Sequence, residues 1–279
     1  MFKEVKALLE ARQFADLRRL LVEAHPADIA AVFEELEPAM LAQVFRLLPK
    51  ELAAETFAYL EPDIQQALIE SLSNAELRAV LDEMYMDDTV DMVEEMPANV
   101  VKRILKVSDP DSRGEINRLL CYADDTAGSI MTTEFIDLKQ DMTVRQAFDR
   151  IRKVAVDMET IYTCYVINAN RVLEGVVTVR ELLLSPYDAV IGDLMEDHVI
   201  SVKTGDDQEQ MAAIFQKYDL LSLPVVDSEN RLVGIITIDD VVDVIQEENT
   251  EDFERMAALS PSEDPYLKTP VWVHAKKRL

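Results

Sequence analysis

The chain has 279 residues, 54 acidic and 28 basic side chains, a formal net charge of −26 and 49% apolar residues. That length holds one large domain or two to three smaller ones. The charge excludes nucleic acid and anionic membrane surfaces as partners and favours divalent cations, and two separated cysteines, Cys121 and Cys164, offer neither a disulfide framework nor a thiolate metal site.

Met1-Phe2-Lys3-Glu4-Val5-Lys6 leads into no apolar signal-peptide stretch. The first part of the chain then keeps a beat: Leu36, Leu48, Leu60, Leu72, Met84 and Met96 fall twelve residues apart. Pro38, Pro49, Pro62, Pro97 and Pro110 follow the beats or stand where one is due. Proline fits the first turn of a helix and stops the one before it. Between beats, apolar residues such as Leu77, Val80, Leu81 and Met84 keep helical spacing. His25 before Pro26 is placed to cap a helix. Short helices cannot bury their own stripes, so residues 1–123 are expected to stack into an all-α superhelical solenoid.

Between Arg78 and Lys102 the charged residues are all acids: Asp82, Glu83, Asp87, Asp88, Asp91, Glu94 and Glu95. Asp87, Asp91 and Glu94 or Glu95 share helical spacing, at which like charges cost several tenths of a kcal/mol per pair. Glu55 lies about three beats earlier and could line the same surface.

The texture changes near Asp124. Cys164-Tyr165-Val166-Ile167, Gly175 to Val179, Leu223-Pro224-Val225-Val226 and Gly234 to Ile238 read as buried strands. Helical stretches alternate with them: Val144 to Val154, Gln208 to Tyr218, and Asp239 to Glu248. Two halves match at an offset of 59 to 64 residues: Ile130-Met131-Thr132 answers Leu194-Met195-Glu196, and Asn170 to Thr178 answers Asn230 to Thr237. Asn168 to Arg171 and Asp227 to Arg231 are the expected hairpin turns. This strand-helix-strand-strand-helix tandem resembles a pair of cystathionine-β-synthase (CBS) domains, with halves at 124–189 and 190–252.

The second half is strongly acidic. Asp239, Asp240, Asp243, Glu247, Glu248, Glu251, Asp252 and Glu254 are eight acids in sixteen residues, with no base among them. Asp206, Asp207 and Glu209 open the preceding helix and Asp219 follows it. After Asp264 no acid remains, and Lys268, Lys276, Lys277 and Arg278 surround Trp272. Residues 253–279 therefore read as a juxtamembrane cytoplasmic stretch.

A helical solenoid followed by a CBS pair, joined by Asp124-Asp125-Thr126-Ala127-Gly128-Ser129-Ile130-Met131-Thr132, resembles the MgtE magnesium transporter family. Leu48-Pro49-Lys50 with Ala53-Ala54-Glu55, and Met86-Asp87-Asp88 with Asp91, carry the same resemblance. It implies a multidomain fold: the solenoid, an α/β tandem CBS pair and a C-terminal connecting helix leading to a transmembrane domain beyond Leu279. It also implies a place on the cytoplasmic face of the cell membrane and a homodimer through the CBS domains. Regulatory Mg²⁺ would be held by Glu55, Asp87 and Asp91 on the solenoid and by Asp207, Glu209, Asp219, Asp240, Asp243, Glu248 and Glu251 on the second CBS domain. Binding there would bridge the acidic faces and close the pore.

The donor chemistry agrees with that ion. Mg²⁺ takes oxygen ligands and keeps several waters, so one or two carboxylates per ion suffice. No His or Cys cluster points to zinc or copper, and the EF-hand spacing is absent. The plain alternative is solvated acid serving solubility.

CBS pairs also hold adenosine nucleotides such as ATP, and the family pattern puts Thr237 and Asp240 on the ribose. The first repeat offers Thr178 and Glu181, with Glu where Asp is usual. Leu223 and Pro224 would line the adenine pocket, and Arg180 would meet phosphate. The plain alternative is that Thr178 and Thr237 close strand ends. No enzyme motif is present: the six glycines form no GxG, and the three histidines have no HExxH or triad company. The rival functions are a nucleotide-sensing regulatory module of another transporter or enzyme, and a protein-binding scaffold on the solenoid.

Overall fold

The spacing of the start signals sets the architecture of the first part of the chain. In the computed structural model, which describes residues 1–256, ten helices open that part: α1 (Phe2–Glu10), α2 (Phe14–Val22), α3 (Pro26–Glu34), α4 (Pro38–Phe45), α5 (Lys50–Ala58), α6 (Pro62–Ser71), α7 (Asn74–Leu81), α8 (Met86–Glu95), α9 (Ala98–Val107) and α10 (Pro110–Leu119). From residue 2 to residue 110, each begins twelve residues after the last. Proline sits at the first turn of α3, α4, α6 and α10 and caps α5 and α9. Ser73 and Glu76 close a reciprocal capping box on α7. His25 Nδ1 accepts from the Ala27 N–H at 3.3 Å, the capping role expected of it.

Helices of eight to ten residues are not stable alone in water, so their stability comes from packing. The fourth, seventh and eighth residues of a helix supply it. Ile29, Val32 and Phe33 of α3, Ala53, Thr56 and Phe57 of α5, Gln65, Leu68 and Ile69 of α6, and Thr89, Met92 and Val93 of α8 are all buried. Phe33, Phe45 and Phe57, successive members of one such series, stack with ring centroids 6.2 and 6.1 Å apart. The beat residues Leu36, Leu60, Leu72, Met84 and Met96 are buried at the helix ends, and Leu48 is half-buried. One apolar core runs from Val5 to Ile104.

Odd helices pack on odd (α3 on α5, α5 on α7, α7 on α9) and even on even (α4 on α6, α6 on α8, α8 on α10). The structural repeat is therefore a helix pair, twice the sequence period, arranged as a solenoid of two rows. Arginines tie neighbouring turns together. Arg103 donates to the carbonyls of Ile69 and Leu72 at the end of α6. Arg46 donates from Nε to Glu76 Oε1 at 2.6 Å, and this bond, with those from Ser73, holds the Glu76 carboxyl down at about 2.

A second compact unit starts at Tyr122, the first ending at Cys121. It contains β1 (Asp137–Leu138), α11 (Val144–Val154), β2 (Thr163–Ile167), β3 (Leu173–Thr178), α12 (Val179–Leu184), α13 (Ile191–Leu194), β4 (Val202–Lys203), α14 (Gln208–Tyr218), β5 (Ser222–Val226), β6 (Leu232–Thr237) and α15 (Ile238–Met256). The strands form two sheets, ordered β1-β2-β3 and β4-β5-β6. The first two strands of each are parallel and the last two antiparallel. The hairpin turns fall where expected. Asn168 Oδ1 accepts from the N–H groups of Asn170 and Val172, and Asp227 Oδ1 from those of Glu229 and Arg231. α15 runs on past Glu248, and the basic segment around Trp272 lies outside the described residues. No helix among the described residues is long and apolar enough to cross a membrane.

The two halves are interlocked by straps. The first strap enters the unit and lies on the second half: Thr126 pairs with Asp207, the Gly128 N–H donates to Thr204 O at 2.9 Å, and Thr132 exchanges bonds of 2.8 and 2.9 Å with Ile235. The second strap lies on the first half in the same way. Val190 pairs with Thr143, the Gly192 N–H donates to Gln140 O at 2.9 Å, and Glu196 exchanges bonds with Val176. This explains the repeated motifs: a Cβ on Gly234 would stand 2.6 Å from Met131 Sδ, and one on Gly175 2.7 Å from Met195 Sδ. The buried Tyr165 hydroxyl, 2.7 Å from Ser222 Oγ, joins the central strands of the two sheets.

Phe57→Ala would empty the ring stack. It is expected to cost about 3–5 kcal/mol in urea unfolding, as large-to-small core changes do. A loss below ~1 kcal/mol, typical of surface positions, would show that the repeats do not share one core.

Candidate functional site

The acids predicted as ligands sit on two elements of the helical unit and one helix pair of the second unit. In the first, α5 packs against α8, which brings the helix of Glu55 beside that of Asp87 and Asp91. Glu55 and Asp91 are exposed, whereas Asp87, at the second position of α8, is buried. The acids that share helical spacing on α8 therefore differ in exposure. Its last turn, with Glu94 and Glu95, holds no base, so those charges face the negative end of the helix dipole.

In the second unit, α14 and α15 lie antiparallel. The Ile238 N–H donates to Leu221 O at 3.1 Å at one end of the pair, and Gln208 Nε2 donates to Glu248 Oε1 at 2.8 Å at the other. Asp207, Glu209 and Glu248 share the Gln208 end. Asp219, Asp240 and Asp243 share the opposite end, ~16 Å away along the eleven residues of α14. The side chains of Glu247 and Glu251 lie outside the described residues.

Several of these acids also have local structural work. Asp207 caps α14, accepting from the N–H groups of Glu209 and Gln210 at 3.0 and 3.3 Å. Asp219 ends α14 in the left-handed conformation, φ 52°. Asp240 Oδ2 accepts from the Thr237 hydroxyl at 2.7 Å. Partial burial, and then the charge of Asp239 one turn earlier, push the Asp243 carboxyl above its ordinary range.

Each carboxylate offers about four acceptor positions, some of them already taken by these caps. Single carboxylates facing water suit Mg²⁺, which keeps part of its hydration shell, better than Ca²⁺, which takes six to eight oxygens.

The predicted nucleotide residues flank the starts of α12 and α15. Thr178 and Glu181 form a capping box, with the Thr178 N–H and hydroxyl 2.8 and 2.9 Å from Glu181 Oε2. At the equivalent place the Thr237 N–H and hydroxyl donate to Asp240 Oδ2 at 3.3 and 2.7 Å. These pairs close strand ends, and the Glu in the first repeat reaches its threonine as well as the Asp in the second. Arg180 is exposed, and Leu223 and Pro224 are buried in β5.

Sequence reasoning missed Gln208, which links the strap to Glu248, because a lone glutamine at a helix start carries no signal. It also missed four exposed apolar side chains: Tyr162 and Leu221, and Leu183 and Val242, occupy equivalent positions of the two halves and are 46–69% exposed. Burial pushes the Cys164 thiol up to about 12, which leaves it inert.

Comparison with known proteins places these elements among relatives. The MgtE intracellular N domain matches residues 24–125, and the CBS domain matches residues 127–187 and 191–247. The magnesium transporter MgtE of Enterococcus faecalis is 42% identical over 153 residues, 55% of this chain and 34% of the relative. That of Thermus thermophilus is 38% identical over 178 residues, 62% of this chain and 39% of the relative. The chain thus spans between a third and a half of the length of the curated relatives it matches. A crystal structure of the cytosolic domain of the Mg²⁺ channel MgtE in complex with ATP aligns with a TM-score of 0.83 at 36% identity, covering 88% of this chain and 100% of that one.

Asp239 and Asp243 are like charges four residues apart, a pairing that costs ~0.2–0.5 kcal/mol. Asp243→Asn is expected to stabilise the metal-free chain by about that much at neutral pH. Because the folded carboxyl titrates above its unfolded value, the penalty is full above the raised pKa and fades as pH falls through it. Urea unfolding at neutral and acidic pH checks this; a gain that persists in acid would contradict it.

Proposed function

The chain belongs to the MgtE family, and we propose that it is the Mg²⁺-sensing regulatory region of a magnesium transporter, standing on the cytoplasmic face of the membrane. The observation that carries this reading is the α14–α15 pair, whose acids gather at both ends. Two unit charges ~8 Å apart repel by roughly 2 kcal/mol at an effective dielectric of ~20. When the acids of α8 and those of α15 share hydrated Mg²⁺, that repulsion turns into attraction and the two units dock. When Mg²⁺ is scarce they separate. Several such pairs together reach the ~5.5 kcal/mol that carries a two-state equilibrium from 1:99 to 99:1. The pore of the whole transporter closes in the docked state, so high Mg²⁺ limits its own entry.

The chain acts as a homodimer through its CBS halves, and the exposed Tyr162, Leu183, Leu221 and Val242 supply the apolar contact. Its role is regulatory rather than enzymatic, in keeping with relatives named as transporters. A second reading is favoured by the related domain solved with ATP: an adenosine nucleotide binds between the CBS halves near Thr178, Arg180, Glu181, Leu223, Pro224, Thr237 and Asp240.

The separation of the acids along α14 makes the test specific. Calorimetry with MgCl₂ is expected to show more than one ion per chain. Asp207→Asn with Glu248→Gln should remove one class of site, and Asp240→Asn with Asp243→Asn the other. No saturable Mg²⁺ binding, or binding indifferent to both pairs, would overturn the reading. The same titration with ATP should show binding that Thr178→Ala weakens; absence of ATP binding removes the second reading alone.

A further inference from the structure

The first strap and the acids of the second half meet in one dipeptide. The backbone of Asp207 pairs with Thr126, while its carboxylate caps α14. The Gln208 N–H donates to Asp125 O at 3.0 Å, while its side-chain amide donates to Glu248 at 2.8 Å. The strap between them is tightly held. Ala127 N–H donates to Asp206 O at 2.8 Å, Thr126 Oγ1 donates to Ala123 O at 2.7 Å, and Ser129 Oγ to Thr126 O at 2.9 Å. Asp125 adopts φ 59°.

A side chain at Gly128 has no room. Its Cβ would stand 2.6 Å from the Tyr122 ring and 2.9 Å from Thr204 O, and Tyr122 is the first residue after the helical unit ends. The equivalent place in the first half is built differently. Val190 pairs there with Thr143, which closes a capping box with the uncharged Gln146, and a Cβ on Gly192 would meet nothing closer than Gln140 O at 3.2 Å. Through Asp207 and Gln208, the acids of α14 and α15 are wired to the strap that leads to the helical unit.

We propose that the strap Tyr122–Thr132, held through Asp207 and Gln208, is the positioning element that converts cation occupancy at the Gln208 end of α14–α15 into movement of the chain entering from the helical unit. This rests on the Mg²⁺-sensing reading and adds the route by which the signal leaves the site. A cation drawn to Glu248 and Asp207 competes with the Gln208 amide and with the helix cap for the same oxygens. The dipeptide shifts, and its backbone bonds carry that shift to Asp125 and Thr126. Gly128 keeps the strap seated against Tyr122 so that the shift is transmitted rather than absorbed.

The test uses the whole chain with Cys121→Ser, labelled with a fluorescent pair at Glu51→Cys and Lys153→Cys. Energy transfer reports the response to MgCl₂, and calorimetry reports binding on the same samples. Gly128→Ala and Gln208→Ala should still bind Mg²⁺. The concentration for half-maximal energy transfer should rise roughly 3- to 30-fold relative to that for half-saturation, the range for residues that carry coupling without gripping the ligand. Gly192→Ala, on the other strap, should behave as the parent. If both variants respond as the parent does, the inference is overturned and the sensor reading stands. If the parent binds Mg²⁺ without any change in energy transfer, the sensor reading falls and takes the inference with it. Should Gly128→Ala fail to fold, Gln208→Ala decides, because it leaves every backbone bond of the strap in place.

Discussion

Carboxylates gathered on helices without intervening bases are the constraint around which this chain is organised. A helix of ten residues gains little from its own hydrogen bonds, and like charges at i, i+4 subtract from that little. α8 and α15 carry such charges and still form, because their apolar faces are buried in larger assemblies. Val90, Met92 and Val93 anchor α8, and Val241 and Val244 anchor α15. The cores hold the acids in place, and the acids supply a repulsion that water screens only in part. In the proposed reading, a hydrated divalent cation relieves that repulsion.

The two units meet this demand by different means. In the helical unit, the twelve-residue period puts an inward triplet on helices such as α3, α5, α6 and α8 and, from α3 to α10, alternates the helices between two rows, so that each leans on the one two places along. In the second unit, the halves trade their opening straps, and Gly175 and Gly234 make room for the methionines that cross them. Several of the acids proposed as cation ligands are also part of a helix cap, a turn or a side-chain bond. Asp207, Asp240 and Glu248 are fixed by the fold before any ion arrives, which limits the conformational entropy that binding must overcome.

Much of this could be read from the residues. Proline and the apolar beats marked the solenoid, and the bounds of α11 and α14 followed from periodicity alone. The hairpin turns were legible because Asn168 and Asp227 form turns through their own side chains. β1 and β4 were not located, since two-residue strands fall below any propensity signal and exist only through parallel pairing with β2 and β5. α1 and α2 keep the same beat but lack a proline to announce it. The crossing of the straps was invisible, because it depends on contacts between residues far apart in sequence. At the site, the acids were found by their number and their lack of bases. That Glu181 closes a capping box, that Asp240 accepts from Thr237, that Asp87 is buried and that Gln208 holds Glu248 are facts of packing.

Small-angle scattering of the whole chain with and without millimolar MgCl₂ tests the central claim most directly. Docking of the acidic faces on a shared cation predicts a smaller radius of gyration with Mg²⁺ and a larger one on chelation. A radius unchanged by Mg²⁺ that calorimetry shows to be bound would contradict it.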